Sequence, residues 1–386
     1  MDPLSVVKDI MTEFAESTGL SNPENPPRRY LWTDAFGICN FLELYRQTGD
    51  EHWRRSALSL MNQVHTMLGH HRQDDPRPGW ISNLSESEGA RHPTLGGLRI
   101  GKSMNERKPA DPYNEREEWD RDGQYYHYLT KWMHALNRMS RSTGESTFNL
   151  WAIELARTAH AAFVYTLPSG YKRMYWKMSI DLSFPLVASM GQHDPLDGLI
   201  TYRQLQATAQ ELSPFPEARL DSEIADMESL CQGHNWTTAD PLGIGGILSD
   251  AYRVLQLDME TEFTRTTLFN ELLESSLAGL DAFTQGPLLR LSADYRLAFR
   301  ELGMSIGLHA VERMKRITED RPDVFPKNHP AHGQINRLYQ YLPLGQTIET
   351  FWLDPRCRES QTWTGHLDIN RVMLATSLAP DGYLTY

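Results

Sequence analysis

Three cysteines in 386 residues, Cys39, Cys231 and Cys357, are odd in number and too widely spaced for a disulfide framework. Buried free thiols in a reducing compartment are the expectation, which places the chain in the cytoplasm. Long hydrophobic runs are missing too. No apolar stretch approaches the roughly eighteen residues of a spanning helix, and the start, MDPLSVVKDIMTEFAEST, is an acidic amphipathic helix without the basic head of a signal peptide. Basic charge is scarce: 38 Lys and Arg stand against 50 Asp and Glu, and no five basic residues cluster. An acidic surface repels polyphosphate chains, so neither nucleic acid nor membrane is expected as a partner. Clear period-two alternation, the mark of half-buried strands, is also scarce.

Helical periodicity fills the chain instead. In DAFGICNFLELYRQTGD, Ile38, Phe41, Leu42 and Tyr45 fall at i, i+3, i+4, i+7 and form one apolar stripe. Thr48-Gly49-Asp50 then ends one helix and caps the next. The second helix carries Trp53, Ala57, Leu60, Met61, Val64 and Leu68 on its buried side. The plan recurs in WDRDGQYYHYLTKWMHALNRMSRSTGE, which ends in Thr143-Gly144-Glu145 before a helix with Trp151, Leu155, Ala156 and His160. Here the first helix, counted from the tryptophan, is about two turns longer. A third, weaker copy starts at HNWTTADPLGIGGILSDAYRVLQLD, and helical stretches follow around LRLSADYRLAFRELGMSIGLHAVERM and HLDINRVMLATSL.

The two clear copies are separated by a long polar insertion, residues 69–118, which an even solenoid would not carry. The expected fold is all-α, a single (α/α)6 barrel over residues 1–386, with long inter-helix loops on one face and 69–118 as a lid. The proline-rich stretches at 22–29, 213–217 and 321–330 read as extended loops within one domain.

Three aspartates, Asp34, Asp122 and Asp240, stand close behind a tryptophan at the start of inner-helix candidates. Each can be a helix N-cap. If alternate helices line a ring, their N-termini also converge, and indoles facing sugar C–H surfaces would meet carboxylates able to move protons. Asp181 lies among Ile180, Leu182, Phe184 and Leu186, where a carboxylate needs a hydrogen-bonded role or a raised pKa. His193 precedes Asp194-Pro195 and is either a substrate ligand or a turn residue.

The stretch RRYLWTDAFGICNFLELYRQTGDEHW resembles the opening of the six-hairpin glycosidases, nearest the unsaturated glucuronyl hydrolases. WDRDGQYYHYL resembles the place of that family's first catalytic aspartate, and SIDLSFPLV, an Ile-Asp before an apolar helix, the place of its second. HNWTTADPLGIGGILSDAYRVL is similar to a later tryptophan stretch, although it lacks an Arg-Gly. The family spaces one residue between its first Asp and Gly, whereas Asp122 abuts Gly123, so Asp120 and Asp122 compete for the role. The resemblance implies hydrolysis of a glycoside or unsaturated uronide, with Asp122 and Asp181 as the acid/base pair. The substrate contacts it suggests are Trp32, Asp34, Arg99, Trp119, Asp120, Gln124, His193, Asp194, His234 and Trp236. No metal and no cofactor is called for; the partner is a small-molecule or oligosaccharide substrate, with homo-oligomer formation left open.

Other chemistries fit less well. GGLRIGKS (96–103) matches the Walker A spacing, but the polar LSESEGARHPTL before it offers no strand, and Pro109 and Pro112 end any helix after it. As a loop it can still present Arg99 and Lys102 to a sugar carboxylate. Cys231-x-x-His234 supplies only two zinc ligands. Asp74-Asp75 is followed by Pro76-Arg77-Pro78 and cannot sit on a terpene-cyclase helix, and no Gly-x-Ser-x-Gly elbow is seen. Two alternatives remain: a sugar epimerase or isomerase using His193, His234, His309 or His366 as proton shuttles, and a non-catalytic helical scaffold.

Overall fold

The computed structural model describes residues 2–22, 24–212, 219–260 and 266–386, so the proline-rich stretch at 213–217 lies outside the described residues. The chain divides into two compact units, one of Ala15–His234 and one of Asn235–Tyr386 with the segment up to Phe14. Helix α1 (Pro3–Ser17) opens the chain. The Ala15–His234 unit continues with α2 (Leu31–Thr48), α3 (Glu51–Leu68), the short α4 (Glu86–Arg91) and α5 (Glu115–Glu118), then α6 (Tyr126–Thr143), α7 (Ser146–Phe163), α8 (Asp194–Leu212) and α9 (Asp221–Cys231). Five short strands accompany them. Strands β1 (Gln124–Tyr125), β4 (Lys177–Met178) and β5 (Pro185–Val187) form one antiparallel sheet in the order β1-β4-β5, and β2 (Val164–Thr166) pairs with β3 (Lys172–Met174).

Punctuation and stripes explain the first hairpin. Gly49 ends α2 in the left-handed region at φ 68°, and Asp50 accepts from the His52 amide at 2.8 Å to start α3. Gly144 repeats the first step at φ 75°, but the longer Glu145 makes no side-chain cap bond to α7. Helix α3 buries one stripe, from Trp53 through Leu68, as its pattern requires. Helix α2 differs. It is buried on every side from Leu31 to Leu44, including Asp34, Asn40 and Glu43, which marks it as an inner helix. Helix α6 packs against α2, α7 and α8, and α8 against α6, α7 and α9, so α2, α6 and α8 form the inner row.

A buried polar network fixes that row. Gln204 of α8 donates to Asn137 of α6 at 2.8 Å, Asn137 to Asn149 of α7 at 2.9 Å, and Asn149 to the Leu205 carbonyl at 2.9 Å. Satisfied networks of this kind select one helix register over its neighbours. One expectation is corrected. Helix α6 begins at Tyr126 rather than near Trp119, so α2 and α6 both have 18 residues; residues 119–125 form a turn and β1 instead. Trp151 is half-buried because its indole reaches out to the Arg91 carbonyl at 2.8 Å.

The second unit contains α10 (Pro241–Glu260), α11 (Thr266–Gln285), α12 (Ala298–Asp320), α13 (Pro330–Tyr339), α14 (Leu342–Leu353), α15 (Pro355–Arg358), α16 (Gln361–Thr364), α17 (Leu367–Leu378) and α18 (Asp381–Leu384). Asp240 caps α10, accepting from the Gly243 amide at 3.1 Å, with Pro241 at the first helical position. Helix α12 lies between α10 and α17. Buried Arg296 and Glu301 pair at 2.6 Å, and Trp352 donates to the same carboxylate at 2.9 Å. Among the described residues no helix is long and apolar enough to cross a membrane.

Helices α10 and α12 touch backbone to backbone: a Cβ added to Gly245 would lie 2.0 Å from the Gly303 carbonyl oxygen, and one added to Gly307 2.6 Å from the Gly245 Cα. Backbone cannot yield as a side-chain end can. Gly245→Val should therefore destabilise the protein by about 3 kcal/mol or more, read as a lowered denaturant midpoint, whereas Gly246→Ala, with open space at its Cβ, should change it little.

Candidate active site

The N-terminal ends of α2, α6 and α8 meet at the first turn of α6. Tyr30, just ahead of α2, bonds hydroxyl to hydroxyl with Tyr128 at 2.8 Å, and Trp32 lies 6.5 Å from the same ring. Across α6, Thr130 donates to Asp197 of α8 at 2.5 Å and Lys131 pairs with the same carboxylate at 2.8 Å. The acidic first turn of α8 suits the partial positive charge of its N-terminus. Around this meeting point lies an aromatic group. Tyr125, His127 and Tyr128 are mutual neighbours, and Trp176 stands 5.7 Å from Tyr125 and 5.2 Å from Trp119. The expected convergence of inner-helix N-termini therefore holds within this unit. Trp119 is 49% exposed, whereas Trp32 is buried against Phe36. Half-exposed His127 is closely walled by protein, and desolvation, with Lys131 nearby, lowers its pKa to about 3.

The glycine-rich part of the long insertion is packed, whereas residues 108–117 are exposed throughout. In GGLRIGKS, Leu98 and Ile100 are buried, and the loop wraps one carboxylate, that of Asp122. Asp122 is 0% exposed. Its Oδ2 receives Arg99 at 3.0 Å and Arg72 at 3.3 Å, while its Oδ1 accepts the Gly101 and Gly123 amides at 3.0 and 3.1 Å. Arg99 spends its other nitrogens on the His70 and Met67 carbonyls at 3.1 and 2.8 Å. The reading of Arg99 as a contact for an acidic sugar is corrected accordingly: its guanidinium serves the loop. Lys102 donates to the Trp119 carbonyl. Glycine is needed at 101 for close approach, since a Cβ there would meet the Arg29 carbonyl oxygen at 2.2 Å. Gln124 is a buried strut, accepting from the Leu98 amide at 2.9 Å and donating to the Gly96 and Ile180 carbonyls at 3.0 and 2.7 Å.

Through Ile180 that strut leads to a second charged group. Arg77 donates to Asp181 at 2.5 Å, to Glu106 at 3.0 Å and to Asp75 at 2.8 Å. Asp181 keeps 29% of its side chain exposed. Desolvation raises its pKa, but hydrogen bonds from Ser183 and Ser179, with Arg77, outweigh that and hold the carboxyl below the usual range. Glu106 goes the other way: burial pushes its pKa up, only partly offset by the Ile180 amide and Arg77. Leu182, next to Asp181, sits at φ 60°, a strained setting for a non-glycine residue. The strain is held by the tight turn in which the Ser183 amide bonds both Ser179 Oγ at 2.9 Å and Asp181 at 3.1 Å. A turn and β5 follow Asp181, not the expected apolar helix.

The remaining expected contacts are distributed as follows. Asp120 is exposed in the turn after α5, so of the two competing aspartates it is Asp120 that meets solvent. Asp34 is buried, tying the Tyr30 amide at 2.9 Å and Arg29 at 3.5 Å. Asp194 is buried beside His127, and half-exposed His193 precedes it. Half-exposed His234 bonds its amide to the Cys231 carbonyl at 3.2 Å. Trp236, at 1% exposed, is a core residue of the other unit and offers no open face. Arg72, Arg77, Glu106, His127 and Trp176 were not singled out in the sequence. The signal was present in HHRQDDPRP, whose arginines alternate with acids in a way that a merely solvated loop has no need of.

No protein-family model matches the chain, and no curated protein sequence matches it. Solved structures do. A GH76 alpha-mannanase from Bacteroides thetaiotaomicron is 8% identical, with 99% of this chain and 96% of that one covered at a TM-score of 0.57. A sugar epimerase from a ruminal bacterium is 10% identical, covering 97% and 98% at a TM-score of 0.53. An inactive variant of the alpha-1,6-mannanase GH76A of Salegentibacter sp., with two aspartates replaced and alpha-1,6-mannotetrose bound, is 11% identical, covering 98% and 99% at a TM-score of 0.53. At such identities the likeness shows the fold: all-α, an (α/α)6 toroid, as the sequence led one to expect.

Removing the Asp122 carboxylate would leave Arg72 and Arg99 facing each other in a largely buried site. Asp122→Ala should cost about 3–5 kcal/mol in chemical denaturation, and Asp122→Asn, which keeps an acceptor, clearly less. Equal and small losses for both would show that this carboxylate is not a structural hub.

Proposed function

We propose that this chain is a carbohydrate-active enzyme, a hydrolase of glycosides that works by acid/base catalysis, with residues 1–386 serving as one catalytic domain. The observation that carries this reading is the pair of carboxylates sharing Arg77. Asp181 is exposed and held ionised, whereas Glu106 is recessed and pushed toward its protonated form. Two carboxyls driven apart in this way are suited to opposite roles. Asp181 accepts a proton from water as the water oxygen adds to the anomeric carbon. Glu106 gives its proton to the departing glycosidic oxygen, so the bond breaks without charge building up on the leaving group. Asp122, expected from sequence as the main acid/base, has no exposed surface and instead orients the loop that carries Arg72 and Arg99. The fold supports the reading as well, since the three similar structures are, by their descriptions, mannanases and a sugar epimerase. Because Arg99 is committed to Asp122, a neutral sugar suits this site better than an unsaturated uronide. Three free cysteines fit a cytoplasmic setting.

A second reading has an observation of its own. His127 presents an Nδ1 with no hydrogen-bond partner, as the base of an epimerase or isomerase would. Product NMR on free sugars and on glycosides separates the two, because an epimer formed without bond cleavage selects the second.

For hydrolysis, Asp181→Asn and Glu106→Gln should each fold normally and lose about 100-fold or more in kcat. The pH–rate profile should be a bell on the acid side. Its acid limb belongs to Asp181, held below its ordinary 3.8, and its basic limb to Glu106, raised above its ordinary 4.5. Near-normal turnover by Asp181→Asn would remove that residue from the mechanism.

A further inference from the structure

Asp194 opens α8, and its carboxyl is 4% exposed with Oδ2 lacking any hydrogen-bond partner. His127 Nδ1 is also buried and unpartnered, and it faces Asp194 Oδ1 at 3.9 Å. That gap is too long for a direct hydrogen bond, and an oxygen set to one side of it can bond both atoms at about 2.8 Å. Two buried polar atoms without partners, Asp194 Oδ2 and His127 Nδ1, cost free energy unless a ligand or water completes them. The surroundings indicate what kind of ligand. The His127 ring runs nearly parallel to Trp176, at 26° and 6.3 Å, with Tyr125 and Tyr128 at 5.3 and 4.8 Å. Aromatic walls beside two unpartnered polar atoms match a sugar ring, which is apolar on its C–H face and polar at its rim.

Backbone geometry keeps the carboxyl in this position. A Cβ on Gly191 would stand 2.5 Å from Asp194 Oδ2, so only glycine at 191 leaves the carboxyl room. On α6, Lys131 already neutralises Asp197, the other acid of the same turn, at 2.8 Å. Asp194 is thus the acid of this turn that retains an unfilled acceptor.

We propose that Asp194 and His127 form a hydroxyl-binding subsite for a neutral pyranose, one ring hydroxyl donating to Asp194 while His127 Nδ1 completes the bridge. The proposal rests on the carbohydrate reading of the chain and adds to it a binding site separate from the carboxyls around Arg77. The groups facing Asp194 are Asp197 on its own helix, His193 just ahead of it, and His127 and Lys131 on α6. Burial, with Asp197 adding to it, raises the Asp194 pKa to about 7, while His127 stays neutral across the working range. A hydroxyl bonds more strongly to a carboxylate than to a carboxylic acid. Affinity should therefore rise as pH increases through about 7.

The test is the binding of D-mannose, D-glucose and methyl α-D-mannopyranoside to the full chain, by ligand-observed NMR from pH 5.5 to 8.5. The wild type should bind at least one of them, more tightly at high pH. His127→Phe, which keeps the aromatic wall, should bind it about 10-fold more weakly or worse. Asp194→Asn should lose the pH dependence, and Gly191→Ala, which displaces the carboxyl but keeps it, should weaken binding without removing a titrating group. Should a variant unfold, the pH dependence of the wild type still decides. Wild-type binding that is flat with pH, or variants that bind as the wild type does, would overturn the subsite while leaving the carbohydrate reading intact. No binding of any of the three sugars would overturn both.

Discussion

One buried carboxylate holds the loop region of the Ala15–His234 unit together. Asp122 gathers two arginines and two backbone amides from a segment that begins at Arg72 and ends at Gly123. Burying a charge is tolerable only when it is paired and fully hydrogen-bonded; the insertion supplies three donors and Gly123 the fourth. Because Asp122 lies four residues ahead of α6, the same bonds anchor the insertion to the start of that helix. Gln124 carries the connection on to Ile180 and so to the strained turn that presents Asp181. The candidate site is thus built outward from a charge that itself faces no solvent.

The carboxylates of this unit show how far environment, rather than residue type, assigns a role. Asp122 has four donors and no exposure. Asp181 has two serine hydroxyls, an arginine and open solvent, and stays ionised. Glu106 shares that arginine but is recessed enough to be pushed toward protonation. Asp194 has burial without a partner for Oδ2, and moves furthest from its ordinary value. Structural support, base, acid and hydroxyl acceptor can all be filled by carboxyls because burial and donors vary so widely within one site.

The helices were readable because their signals are local. The stripe of α3 and the Thr-Gly-Asp punctuation between α2 and α3 need only neighbouring residues to be interpreted, and both match the structure. The start of α6 was misread because Trp119 and Asp122 look like a helix opening, while the pairing of Gln124 and Tyr125 with Lys177 and Met178 is a long-range event. The same distance in sequence hid the site. Arg77 meets Asp181 across 104 positions and Arg72 meets Asp122 across 50, so no window of sequence displays either pair. Asp181 drew attention because a charge among apolar residues is anomalous locally. Glu106 was not, because in a polar insertion one more acid attracts no attention, and Asp122 looked catalytic because burial cannot be read from its immediate neighbours.

The proposed function puts a sugar at the N-terminal ends of α2, α6 and α8, with the carboxyls around Arg77 beside it. A crystal structure of the Asp181→Asn protein soaked with alpha-1,6-mannotetrose tests it most directly. Sugar rings should lie along His127 and Trp176, with one hydroxyl bonded to Asp194 and His127 and a glycosidic oxygen near Glu106. Sugar bound only elsewhere on the molecule would sink that assignment.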